Sequence, residues 1–118
     1  MRGLRPGLVA AALWCAAVAP GLAAELVFVE YDRCASCIRF NKTVGQEYAA
    51  TTQGQKAPLK RVRLRRGQII PDAVFTLKVR ATPTFVLLHK GREVGRIVGF
   101  SSPRSFYARL DPLLARLN

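Results

Sequence analysis

Histidine occurs once in these 118 residues and cysteine three times, too few for the usual four-ligand Cys/His zinc site. Acidic side chains are also scarce: 7 Asp and Glu stand against 19 Lys and Arg, a formal net charge of +12. With 9 glycines, 7 prolines and 50% apolar residues, the chain lacks the composition of a disordered or low-complexity protein. Beyond the N-terminal segment no apolar run is long enough to span a bilayer. The length suits one small domain and is too short for two ordinary ones.

What is present begins with an address label. Residues 1–24 read MRGLRPGLVAAALWCAAVAPGLAA. Arg2 and Arg5 open it, Leu8 to Val18 form an apolar run, and Pro20-Gly21 and small residues close it. This is the three-part layout of a cleaved signal peptide, with the cut expected after Ala23 or Ala24. The alternative, an uncleaved anchor, has a run short for a spanning helix. Cys15 leaves with the leader, because bulky Trp14 stands where a lipoprotein signal has a small residue. Residues 25–118 form the mature domain. The leader carries two arginines and no acid, so the charge drops from +12 to +10. Only Cys34 and Cys37 remain, and export places them in an oxidising compartment.

Leu26 to Tyr31 is apolar, β-branched and aromatic, and reads as a buried strand. Cys37, Phe40, Val44 and Tyr48 recur at helical spacing, predicting one amphipathic helix over about Ala35 to Ala50, weakened at Gly45. Thr51 to Pro58 reads as a polar loop. In Lys60 to Arg65, Val62 and Leu64 alternate with arginines, predicting a strand with one core face and one charged outer face, at a sheet edge. Pro71-Asp72 opens a short helix holding Ala73, Val74, Leu77 and Lys78. Thr84 to Leu88 and Glu93 to Val98 form a hairpin about Lys90-Gly91-Arg92. Ser102 caps a final helix through Phe106, Leu110, Leu113, Leu114 and Leu117, which Pro112 is expected to kink or split near Leu110. Phe85, Phe100 and Phe106 are core candidates. The order is β-α-β-α-β-β-α.

Cys34-Ala35-Ser36-Cys37 follows a strand and opens a helix. Disulfide exchange needs a thiolate, and the unpaired N–H groups and positive dipole end of a helix stabilise one on Cys34. Arg33 and Arg39 add positive charge, and Asp32 opposes them. Cys37, one turn further in, is placed to attack a mixed disulfide on Cys34. Cys34 is thus the expected exposed nucleophile and Cys37 the shielded resolving thiol. Two alternatives stand beside this. A stabilising disulfide would close only a tiny ring and contribute little. A metal site would have only His89 to add, and that residue reads as a surface histidine. Thr82-Pro83 is a second element: either Pro83 merely starts a strand, or its peptide is cis and presents the Thr82 backbone to an extended substrate. Lys60, Arg61, Arg63, Arg65 and Arg66 form the densest basic patch, either a solvated edge or a docking face for an acidic thiol protein. Nucleic acid is not expected of an exported chain with no binding module.

From Leu26 to Asn118 this order of elements and motifs resembles the thioredoxin superfamily, and within it the short periplasmic thioredoxins of sulfur-oxidation systems, the SoxS type. The resemblance implies a thioredoxin-like α/β fold: a four-stranded mixed sheet in the order 60–65, 26–31, 83–88, 93–98, flanked by helices. It implies a cis Pro83 facing the cysteines, a match of the family glycine to Gly99, and no cofactor beyond the redox-active pair. It further implies a periplasmic, monomeric reductant that takes electrons from a CcdA/DsbD-type membrane transporter and delivers them to the SoxYZ carrier cysteine. Relatives serve cytochrome c maturation, and others are oxidants; an adaptor that binds without catalysis is a further alternative. The chain departs from the family pattern at Arg33, where the family has tryptophan, and at Ala35-Ser36, where it has Gly-Pro. It also has Phe28 where the family buries the acid that deprotonates the resolving cysteine. Glu30 and Asp32 are the alternatives for that acid.

Overall fold

A computed structural model describes residues 24–68 and 71–117. The leader, its cleavage site and Cys15 lie outside the described residues, apart from Ala24. Strand β1, Ala24–Tyr31, is the centre of the fold and is buried along most of its length. It is flanked by β2, Leu59–Leu64, and β3, Thr84–His89, and β3 by β4, Arg92–Val98, giving the sheet order β2-β1-β3-β4. β1 and β2 are parallel, whereas β1/β3 and β3/β4 are antiparallel. A parallel pair needs a crossover, and the helical segment between β1 and β2 supplies it. The sheet order and its mixed character match the expectation, with the arginine-rich strand at an edge.

The expected single helix is broken. Helix α1, Ala35–Lys42, ends at Thr43, and α2, Val44–Glu47, follows, then a turn of 3-10 helix over Tyr48–Ala50. The Thr43 hydroxyl donates to the Arg39 carbonyl at 2.8 Å, taking the acceptor its own N–H would need, and that N–H turns instead to the Phe40 carbonyl. The break leaves the apolar stripe aligned: Cys37, Phe40, Val44 and Tyr48 are all buried. The expected loop after it contains α3, Thr52–Lys56. Thr51 caps α3 by accepting from the Gly54 N–H at 2.9 Å. Gly54 lies so close beneath the Tyr48 carbonyl that no Cβ would fit.

Helix α4, Asp72–Thr76, is shorter than expected, leaving Leu77 and Lys78 beyond its end. Helix α5, Pro103–Leu114, runs unbroken through Pro112. Pro112 and Ala108, four residues earlier, are both exposed, so the carbonyl without an N–H partner faces water. Its cap is as read: the Ser102 hydroxyl accepts from the Ser105 N–H at 3.1 Å.

The two sheet faces bury separate clusters. On one, α1, α2 and α5 cover Leu26, Phe28, Phe85 and Leu87. There Phe40 is ringed by Phe28, Phe85, Phe106 and Phe100, with centroids 4.6, 4.7, 5.3 and 5.4 Å away. On the other, Val27, Val29 and Val86 pack with Val62, Leu64 and Val74. The arginines of β2 are exposed and alternate with the half-buried Val62 and Leu64, as expected. Arg61 and Arg63 pair with Phe28 and Glu30 on the α1 side, at the sheet margin, while Lys60 shares the side of Val62 and Leu64.

Two tyrosines tie this core to alkaline pH. The buried Tyr48 hydroxyl donates to the Ala57 carbonyl at 2.8 Å, and burial pushes its phenol well above the ordinary range. Burial, and then the Glu47 carboxylate, push Tyr107 up to about 12. Both folded pKa values lie above those of the unfolded chain. The stabilisation is therefore complete below pH 10, the ordinary phenol value, and is lost as pH rises toward 12 and beyond. Thermal melts across that window are expected to show a steep fall in Tm, shallower in Tyr48→Phe; parallel curves would refute the assignment.

Candidate functional site

One end of the sheet gathers every element of the site. The C-terminal end of β1 leads into α1, and the C-terminal end of β2 lies beside it, with the Asp32 N–H donating to the Leu64 carbonyl at 3.3 Å. β3 runs the other way, so its start is at this end too: Thr84 pairs with Val29 on one side and Val98 on the other. Pro83 immediately precedes it, and the Thr82–Pro83 peptide is cis. The Pro83 carbonyl accepts from the Gly99 N–H at 2.8 Å. Arg39 reaches from α1 to the Phe100 carbonyl at 3.3 Å and to the Ser36 hydroxyl at 3.1 Å, tying the helix to the end of β4.

Cys34 and Cys37 are joined in a disulfide with Cα atoms 5.1 Å apart. Cys34 is the N-cap of α1, and its Sγ accepts from the Cys37 N–H at 3.1 Å. That donor is one of the orphan N–H groups of the first helical turn, oriented to hold negative charge on Cys34 when the pair is reduced. Exposure divides the two sulfurs. Cys37 is 1% exposed and belongs to the core, whereas Cys34 is partly open. Asp32 and Arg33 are both exposed on the turn between β1 and α1.

Of the two acids left open by Phe28, the buried one is Glu30, at 3% exposure. Its carboxylate accepts from Asn41 Nδ2 at 2.8 Å and Arg61 Nη1 at 3.1 Å, with Arg63 Nη2 at 3.6 Å. Arg61 is itself held by Asn41 Oδ1 at 2.5 Å and lies over the Phe28 ring, 5.5 Å from its centroid. A buried carboxylate is tolerable because its lone pairs and charge are met. Glu30 and Cys37 border one cavity of about 380 Å³, together with Asp32, Ile38, Arg63 and Arg65. Of the basic residues named from the sequence, the structure brings Arg63 and Arg65 to the cysteines; Arg61 is committed to Glu30, and Lys60 is elsewhere.

Two residues escaped the sequence reading. Ile38 and Val98 are the large apolar side chains exposed among the described residues. Ile38 follows Cys37 on α1 and borders the same hollow as Cys37, and Val98 precedes the glycine bonded to Pro83. The signal was there for Ile38: an apolar residue off the 37-40-44-48 stripe has no core to enter. Among the described residues no three His, Cys, Asp or Glu side chains cluster as a metal site requires.

The sequence of residues 17–113 matches the family model of thioredoxin-like domains. Among solved structures, the chain is similar to the reduced periplasmic thioredoxin SoxS of Paracoccus pantotrophus. That match has 28% identity and a TM-score of 0.68, and covers 80% of this chain and 99% of that one. It also resembles Trxlp of Edwardsiella tarda at 24% identity and TM-score 0.59, over 76% and 84% of the two chains. For the thioredoxin of Malassezia sympodialis the values are 19%, 0.63, 78% and 76%. No curated protein sequence matches the chain. The cysteine pair at a helix start, the four-stranded sheet and the family match agree, and the chain belongs to the thioredoxin-like domain family as a thiol–disulfide oxidoreductase whose redox group is its own pair of cysteines.

Proposed function

We propose that the mature chain is a periplasmic reductant of a partner protein's oxidised cysteine, with Cys34 as nucleophile and Cys37 as resolving thiol. The observation that carries this is the unequal exposure of two sulfurs at one helix start, Cys34 open and Cys37 sealed beneath it. In the reduced protein the Cys34 thiolate attacks one sulfur of the partner disulfide. A Cys34–partner bond forms, and the partner's own S–S bond breaks, its second sulfur leaving as a thiolate. Cys37, deprotonated, then attacks Cys34 Sγ and expels the first partner sulfur. The partner gains two electrons and, with two protons from water, two thiols, while the Cys34–Cys37 disulfide re-forms. A CcdA/DsbD-type membrane dithiol would reload it. Glu30, bordering the same cavity as Cys37, fills the role of the missing family acid, and the Thr82 backbone is the substrate's main-chain contact.

Residues 1–24 support export, and the burial of Ala24 at 5% within β1 favours a cut after Ala23. Likeness to a periplasmic SoxS supports a SoxYZ-type sulfur-carrier complex as the protein reduced. The first test is the Cys34/Cys37 reduction potential in glutathione buffers. A value near that of a reducing thioredoxin, about −270 mV, is expected. One near a strong oxidant's, about −120 mV, would replace the reductant by a disulfide-forming enzyme. A Cys34→Ser, Cys37→Ser double variant that kept its cellular activity would replace catalysis by binding.

A further inference from the structure

Basic residues run from Lys60 and Arg61 at the start of β2 to Arg63, Arg65 and Arg66 at its C-terminal end and just beyond. Arg63, Arg65 and Arg66 collect at the end that abuts the cysteines. All three are exposed and border one shallow depression with Gly67 and Gln68. Arg63 and Arg65 also line the cavity that Cys37 and Asp32 border, so these two side chains flank both hollows. Arg33, exposed on the turn between β1 and α1, adds a fourth cation at the same end. Against them stand Asp32 and the buried Glu30. The Glu30 charge is already met by Arg61 at 3.1 Å and, more distantly, by Arg63 at 3.6 Å. No ion pair of Arg65 or Arg66 is formed among the described residues. Among the described residues β2 is an edge strand, with no strand on its outer side.

A solvated edge would need charge only along its length, to block edge-to-edge pairing. Three exposed cations next to the reacting sulfurs, opposed only by Asp32 and the already paired Glu30, suit steering and local electrostatic complementarity. We infer that Arg63, Arg65 and Arg66 form a docking surface for an acidic segment of the partner protein, lying within a few residues of its oxidised cysteine. The inference rests on the exchange reading above and specifies its substrate class: a disulfide flanked by Asp and Glu, held beside Cys34 by paired carboxylates and guanidiniums.

The test uses two cysteine peptides carrying a 2-pyridyl disulfide, one with four Asp or Glu flanking the cysteine and one with the corresponding amides. The reduced mature protein attacks the peptide sulfur and releases pyridine-2-thione, whose absorbance gives the second-order rate. At low salt the acidic peptide is expected to react at least about tenfold faster. The preference should shrink toward one in molar salt, where the Debye length falls to about 3 Å. Arg65→Glu, Arg66→Glu is expected to erase or invert the ratio. Lys90→Glu, Arg92→Glu makes the same change in net charge at the opposite end of the sheet and is expected to leave the ratio standing. Equal rates for the two peptides at low salt would overturn the inference, as would a loss of preference in both double variants alike. Loss of preference combined with arginine-dependent binding to phosphatidylserine vesicles would also overturn it and assign the surface to membrane. The rate on the amide peptide reports on exchange, and only the ratio reports on docking. If neither peptide reacts, fluorescence anisotropy of the acidic peptide with serine for cysteine reads docking alone, and its failure to bind refutes the surface.

Discussion

A Cys37→Ser protein, reduced and offered its partner, is expected to accumulate as a covalent complex through Cys34 that dissolves in dithiothreitol. The reason is the division of labour between the two sulfurs. Cys34, half-open and bonded to the Cys37 N–H through its sulfur, can still attack. The serine hydroxyl left in the core at position 37 cannot expel the partner sulfur. Turnover should fall to the rate without protein, while the first attack survives. Cys34→Ser is expected to abolish both, because the thiol it leaves at Cys37 is 1% exposed. Non-reducing gels of the two variants, with alkylation to confirm that the Cys34 thiol is free, check this directly. Equal trapping by both variants would mean that the core opens readily enough for Cys37 to act as nucleophile. No trapping by Cys37→Ser with Cys34 freely alkylated would remove the exchange mechanism.

The largest effect on stability is expected at Phe40→Ala. Phe40 is fully buried and makes ring contacts with Phe28, Phe85, Phe100 and Phe106, so no single neighbour can collapse into the space it leaves. Losing a buried phenylalanine costs about 3–5 kcal/mol. A small domain has about 5–15 kcal/mol in all, so the variant should be close to unfolding at 37 °C. Urea denaturation of the oxidised protein measures it. Phe40→Leu, which keeps most of the volume, should recover a large part of the loss. A cost below about 1 kcal/mol would show that the cluster repacks and is not the fixed centre of the fold.

Much of this was legible in the sequence because short-range rules decided it. The stripe Cys37, Phe40, Val44 and Tyr48 predicted the buried face of the crossover, and the alternation of Val62 and Leu64 with arginines predicted an edge strand. The helix start at Cys34-Ala35-Ser36-Cys37 and the Ser102 cap were both read from residue type and position. The failures came where two local preferences competed or where a distant element decided. Gly45 looked like the weak point of the helix, yet the break is at Thr43, whose hydroxyl outcompetes a backbone donor. Thr51 to Pro58 looked polar and irregular, but Thr51 capping and the close fit of Gly54 under Tyr48 make a helical turn. The arginine row is exposed as read, but the sheet face it stands on was not legible. Only the pairing of β2 with β1 shows that Arg61 and Arg63 face Phe28 and Glu30. Glu30 could be named as a candidate acid, but its selection over Asp32 depended on Asn41, Arg61 and Arg63, which lie 11, 31 and 33 positions along the chain.

The hairpin tip at Lys90-Gly91 has a practical consequence. Both residues have positive φ, 53° and 79°, the geometry of a tight two-residue turn, and Gly91 has no neighbour within 4 Å of where a side chain would begin. The tip lies at the end of the sheet away from the cysteines. By contrast, Ala24 is built into β1, and α5 is packed on the core. An affinity handle or a fluorescent label spliced into this turn would therefore report on, or pull down, whatever occupies the redox end without standing in its way. That makes the hairpin the natural grip for isolating the partner.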